Sequence, residues 1–221
     1  MLENRTMIKV CGMTRSRDIK FAVNIGVDAI GFILAESSRQ VNLERVRELT
    51  EKMPPFIDRV AVVVNPTKSE VAEVTNSGLF DYIQFHGSEE VELISSTTLK
   101  SIKAISIAGK DDLKKIEKYK NTADFLLFDT KIGNQTGGTG RSFDWSLIRD
   151  LEIPYILAGG LGNENINEAL QRLNPAAVDI NSRIENEPGK KNHRLLKETV
   201  EKIKNFKPRI EAKLKLKSNS N

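Results

Sequence analysis

Two side chains combine a place beside an apolar run with the ability to move a proton. Cys11, the only cysteine, sits in "IKVCGMT" (residues 8–14), and Asp129 follows "FLLF" (125–128). A thiol and a carboxyl delivered to one site would form a base and an acid. Each also has a structural reading. An unpaired cysteine packs as a small hydrophobe, and an aspartate at a strand end caps or pairs with the next loop. Further polar residues stand in comparable places: Glu36 and Arg39, Asn65, Gln84 and His86 in "IQFHG", and Asp179 in "VDINS". His86 and His193 lie far apart, no His/Cys/Asp set has metal-ligand spacing, and no nucleophile-elbow serine occurs. Acid–base chemistry remains, with no metal and no cofactor called for.

Three glycine-bearing stretches could hold an anion. They are "GNQTGGTG" (133–140), "AGGLGNEN" (158–165) and "NSRIENEPG" (181–189). Glycines let backbone N–H groups approach closely, and a following helix start adds donors and a favourable dipole. Glycines more often simply make turns. Their recurrence late in the chain, beside "DINSR", points to a phosphorylated small substrate.

These residues need a frame, and the chain supplies a repeating one. Apolar, β-rich runs at 7–11, 28–35, 58–64, 81–86, 101–107, 124–130, 154–160 and 176–182 alternate with stretches of helical period. In "RSRDIKFAVNIG" Ile19, Ala22, Val23 and Ile25 share a face and Gly26 stops the helix. Thr67 and Glu70 form a candidate capping box for a helix closing at Gly78. Asn163 is a candidate N-cap before a stripe of Ile166, Ala169, Leu170 and Leu173. Eight βα units in one chain of 221 residues predict a single α/β domain, a (β/α)8 TIM barrel spanning 1–206 with a closed parallel sheet and outer helices. An open doubly wound sheet would carry fewer strands and a dinucleotide fingerprint after the first, which is absent. In a barrel the polar strand ends converge on one mouth.

Charge argues against a nucleic-acid partner. Residues 207–221 carry five basic side chains against one acidic, which accounts for the whole formal charge of +4 and leaves a neutral body. That tail reads as solvated or disordered, with at most a weak affinity for anionic surfaces. No stretch has the length of a membrane span and no signal segment opens the chain, so a cytoplasmic protein is expected, monomer or homodimer. A lone cysteine excludes an intrachain disulfide.

The ordered set "IKVCGMT", "AIGFILAESSRQV", "IQFHG", "LLFDT", "GGTGRSFDWS", "ILAGGLGNENI" and "AVDINSRIENEPGKK" resembles the phosphoribosylanthranilate isomerases, barrel enzymes of tryptophan biosynthesis, from about residue 7 to 204. The resemblance implies a cofactor-free Amadori rearrangement with Asp129 as general acid and Cys11 as general base. It also implies Arg39 against the anthranilate carboxylate, Asp179 near the ribose hydroxyls, and His86 with Gln84 in direct or indirect contact. Gly138, Gly159, Gly160, Asn181, Ser182 and Arg183 would bind the phosphate. Cys11 would need positive charge nearby to reach its thiolate, and Lys9 should share its face of the strand. Two departures stand out: Asn181-Ser182-Arg183 where many relatives have Ser-Ser-Gly, and Asn192 where an aspartate is common. A sister isomerase of histidine biosynthesis, with two aspartates and an internal half-repeat, and a catalytically silent sugar-phosphate binder are the competing readings.

Overall fold

The computed structural model describes residues 5–129 and 145–207. Eight parallel strands close into a barrel in chain order: β1 (Met7–Val10), β2 (Ala29–Ile33), β3 (Asp58–Val63), β4 (Tyr82–Phe85), β5 (Lys100–Ser106), β6 (Phe125–Asp129), β7 (Tyr155–Ala158) and β8 (Ala177–Ile180). Successive side chains of a strand point to opposite faces, and both faces are covered here, which is why the runs read as nearly continuous apolar stretches. Val60, Ile102, Ala104, Leu127, Ile156 and Ala158 fill the barrel interior. The alternate positions, among them Val10, Phe32, Phe85 and Phe128, join the core shared with the outer helices. The ladders stop one or two residues short of several apolar runs, freeing the last residues to line the mouth.

The helices are α1 (Ser16–Asn24), α2 (Leu43–Thr50), α3 (Lys68–Asn76), α4 (Val91–Ile94), α5 (Lys114–Tyr119), α6 (Ser146–Arg149), α7 (Ile166–Arg172) and α8 (His193–Lys204). Ile19 and Ala22 of α1 are buried, Val23 and Ile25 pack at their edge, and Gly26 follows at φ +74°. The capping box of α3 is present: Glu70 N donates to Thr67 Oγ1 at 3.2 Å, and Thr67 N donates to Glu70 Oε2 at 2.7 Å. The apolar stripe of α7 is buried, but Asn163 is not its cap. Asn165 precedes the helix, and Asn163 donates instead to Glu198 Oε2 of α8 at 2.8 Å. Asn165 serves the glycine loop, accepting from Gly162 N and donating to Gly160 O, both at 3.0 Å.

One element has no counterpart among the expected strands, a short antiparallel hairpin of β9 (Glu185–Glu187) and β10 (Lys190–Lys191), turned by Gly189 at φ +77°. A buried staple fixes the loops beyond β3 and β4. Lys103 Nζ donates to Gly87 O at 2.7 Å and Glu89 Oε2 at 2.8 Å, while Glu89 Oε1 accepts from Asn65 N and Gly87 N, both at 2.9 Å. Among the described residues no helix is long and apolar enough to cross a membrane. Residues 208–221, nearly all of the expected tail, lie outside the described residues.

Candidate active site

A cavity of about 280 Å³ opens at the C-terminal ends of the strands. Cys11, just beyond β1, and Asp129, the last residue of β6, both line it, joined by Arg39, Gln84 and His86 on one side. Gly159, Gly160, Asp179, Asn181 and Ser182 complete it on the other. Asn65, counted among the strand-end residues, does not line the cavity. Its side chain accepts from Ser88 N at 2.7 Å and ties two loops together.

Cys11 is 5% exposed, and its N–H donates to Ile180 O at 3.0 Å, continuing β1 along β8. The same pairing puts Lys9 directly beside Asp179, and the Lys9 ammonium donates to Asp179 Oδ2 at 2.6 Å. Lys9 shares the thiol's face, as strand alternation requires. Gly31 on β2 makes room, because a Cβ there would stand 2.8 Å from Cys11 Sγ. Burial pushes the thiol above its ordinary pKa, Lys9 and Lys191 pull it down, and Asp179 pushes it up again, leaving the net shift upward. The expected positive charge is therefore in place, yet desolvation outweighs it.

Asp129 has its carboxylate Oδ2 3.4 Å from His86 Nε2, and Gln84 Nε2 stands 2.9 Å from His86 Nδ1. An amide donating to Nδ1 would leave Nε2 as the ring nitrogen that can donate to the carboxylate. Two buried acceptors at the cavity, Gln84 Oε1 and Asp179 Oδ1, have no hydrogen-bond partner among the described residues. Such atoms are costly to leave unpaired, and a polyol ligand would satisfy them.

The Arg39 guanidinium is already engaged. Its Nε lies 3.0 Å from both Glu185 oxygens and its Nη2 donates to Glu185 Oε2 at 2.6 Å. The Nε edge is thus taken, and a ligand carboxylate would meet the Nη1/Nη2 end. A Cβ at Gly12 (φ +69°) would stand 2.7 Å from Arg39 Cδ and 2.8 Å from Asn181 Oδ1, so the glycine lets both side chains cross above the backbone.

Of the phosphate candidates, Gly159 (φ +99°) and Gly160 (φ +65°) adopt backbone conformations suited to glycine, and Ser182 opens a 3-10 turn, Ser182–Ile184. Arg183 lies within that turn, so no left-handed backbone is asked of it. Its guanidinium donates to Glu164 at 3.3 Å on the rim, and its stem covers Gly162. Gly138 lies outside the described residues. Asn192 accepts from the N–H groups of Arg194 and Leu195 at 3.1 Å, so at the start of α8 it performs the capping an aspartate would. Glu185, Lys191 and Gly31 escaped sequence reasoning. The "PG" before Lys190 is a turn signal, but nothing local shows where its flanking charges point.

The family model for N-(5'-phosphoribosyl)anthranilate isomerase matches residues 8–202. The N-(5'-phosphoribosyl)anthranilate isomerase of Petrotoga mobilis is 53% identical over 205 residues, covering 90% of this chain and 98% of that protein. That of Legionella pneumophila (strain Paris) is 44% identical over 195 residues, covering 87% and 94%. Among solved structures, phosphoribosyl anthranilate isomerase from Thermotoga maritima superposes with a TM-score of 0.83 at 34% identity, covering 91% of this chain and all of that one. A phosphoribosyl anthranilate isomerase in complex with reduced 1-(o-carboxyphenylamino)-1-deoxyribulose 5-phosphate gives a TM-score of 0.80 at 32% identity, with the same coverage.

Proposed function

Because the chain belongs to the N-(5'-phosphoribosyl)anthranilate isomerase family, we propose that Cys11 and Asp129 are the base and the acid of its reaction. The enzyme converts N-(5'-phosphoribosyl)anthranilate to 1-(2-carboxyphenylamino)-1-deoxyribulose 5-phosphate in tryptophan biosynthesis. Asp129 delivers a proton to the ribose ring oxygen. The C1'–O bond breaks, and the amine lone pair forms a C1'=N iminium. Cys11, as thiolate, removes the C2' proton, and the C–H pair becomes the C1'=C2' bond of an enolamine. Protonation at C1' and loss of the C2' hydroxyl proton give the ketone. C1' is reduced as C2' is oxidised, so the electron balance closes within the substrate.

The observation that carries this reading is a thiol and a carboxyl lining one cavity with two acceptors that have no partner among the described residues. Asp179 Oδ1 and Gln84 Oε1 would accept from ribose hydroxyls, Arg39 would hold the anthranilate carboxylate, and Gly159, Gly160, Asn181 and Ser182 would face the phosphate. His86 would orient Asp129. Asp129→Asn and Cys11→Ser should each lower kcat by about a hundredfold or more while binding of the reduced product analogue stays within a few-fold. Near-normal turnover in either variant removes that residue from the chemistry.

A base that must stay a reduced thiol suits the cytoplasm. We also read the working form as a homodimer. Phe56, between α2 and β3, is 98% exposed at φ +66°, an unfavourable conformation for an aromatic residue. It precedes β3 and so belongs to the barrel end opposite the mouth, where Met7 and Phe125 at their strand starts are also exposed. Another solved structure, 28% identical to this chain, is of monomers generated from the dimeric phosphoribosylanthranilate isomerase of Thermotoga maritima.

A further inference from the structure

Behind Arg39, the β9–β10 hairpin brings in two buried charges that the reaction scheme does not use. Glu185 grips the guanidinium as described and also accepts from Gly189 N at 3.2 Å. Lys191 Nζ donates to Glu185 Oε1 and to Asn181 Oδ1, both at 2.8 Å, and lies 3.5 Å from Asn181 O. Three acceptors face the three hydrogens of an ammonium; burial lowers the Lys191 pKa from its ordinary value, and the hydrogen bond and charge of Glu185 oppose that shift. Burial alone would raise Glu185, but the hydrogen bonds from Arg39 and Lys191 hold it below the ordinary carboxylate range.

An arginine paired with one carboxylate is neutral as a unit and has little long-range pull on an anion. Here two cations share one anion, and the trio keeps a single positive charge. Glu185 and Lys191 are buried, whereas Arg39 reaches the cavity. The surplus charge is therefore presented at the mouth by the guanidinium end that Glu185 leaves open.

We propose that Lys191 is a specificity-determining positioning residue: by neutralising Glu185 it leaves Arg39 rigidly held yet uncompensated in charge, so the site selects substrates whose aromatic ring carries a carboxylate. This inference rests on Arg39 being the carboxylate partner. Asn181, held by the same ammonium, lies on the phosphate side, so the hairpin also ties the two anion-binding regions together.

The test compares dissociation constants of the full-length enzyme for two ligands: reduced 1-(o-carboxyphenylamino)-1-deoxyribulose 5-phosphate and its counterpart without the ring carboxyl. Lys191→Met should weaken the carboxylated ligand about tenfold or more beyond any loss, through Asn181, that both ligands share. Glu185→Gln/Lys191→Met restores the surplus charge, and its glutamine can still accept from Arg39, so it should regain most of the preference. Lys191→Arg should keep it. Equal weakening of both ligands by Lys191→Met overturns the proposal, as does an unchanged preference. If Lys191→Met does not fold, loss of preference in either Lys191→Arg or the double variant overturns it. Arg39→Met separates the two readings. If it leaves the preference intact, the role of Arg39 falls; if it abolishes the preference while Lys191→Met does not, only the role of Lys191 falls.

Discussion

At the scale of single residues, Cys11 is tuned by opposing neighbours. Desolvation raises its thiol, Lys9 and Lys191 lower it, and Asp179 raises it. Because the net shift is upward, the thiolate is the minor form at neutral pH, and alkylation by iodoacetamide should keep accelerating above pH 9. Asp179→Asn removes a negative neighbour, so it should move that profile to lower pH and raise the rate at pH 8. Lys9→Met should move it to higher pH. A profile at the ordinary thiol position, with both variants unshifted, would remove Lys9 and Asp179 as tuning groups. The thiol was visible in the sequence as a candidate. Its partners were only partly so, since Lys9 follows from strand alternation but Asp179 reaches it across the β1/β8 seam.

At the scale of elements, the contrast lies between local caps and buried staples. Asn42 caps α2 by accepting from Arg45 N at 2.8 Å, an exposed interaction, and Asn42→Ala should cost about 1 kcal/mol. Lys103 and Glu89 are buried together, and Lys103→Met would strand the Glu89 carboxylate away from water. Such a loss costs about 3 kcal/mol or more, so its urea midpoint should fall well below that of Asn42→Ala. Equal midpoints would mean that Glu89 is rescued by protonation or by water. Helices with a clean 3.6-residue stripe were legible, as α1 and α7 illustrate. The start of α7 was not, because Asn163 and Asn165 are both plausible caps until the position of α8 decides which one has another partner.

At the scale of the whole molecule, the barrel separates its two ends. The mouth holds the cavity lined by Cys11 and Asp129, and the opposite end exposes Phe56. If Phe56 anchors a homodimer, Phe56→Ser should sediment as a monomer with kcat nearly unchanged and a lower Tm, since the concentration-linked stabilisation is lost. A wild-type chain that sediments as a monomer at micromolar concentration removes the dimer reading.

The sequence alone determined the eight βα units, because alternating apolar periods are local, and it placed Cys11, Asp129 and Asp179 at strand ends. It also carried the family, through an ordered set of motifs. Only the tertiary structure decided what those residues face. Closing the barrel sets β8 beside β1, brings Lys9 against Asp179, and turns a hairpin back so that Glu185 meets Arg39 and Lys191 meets Glu185. Those pairs lie about 150 residues or more apart along the chain, save Glu185 and Lys191. Periodicity reports only which face a side chain takes. Which charge waits on that face depends on how the sheet closes and on the desolvation that closure imposes.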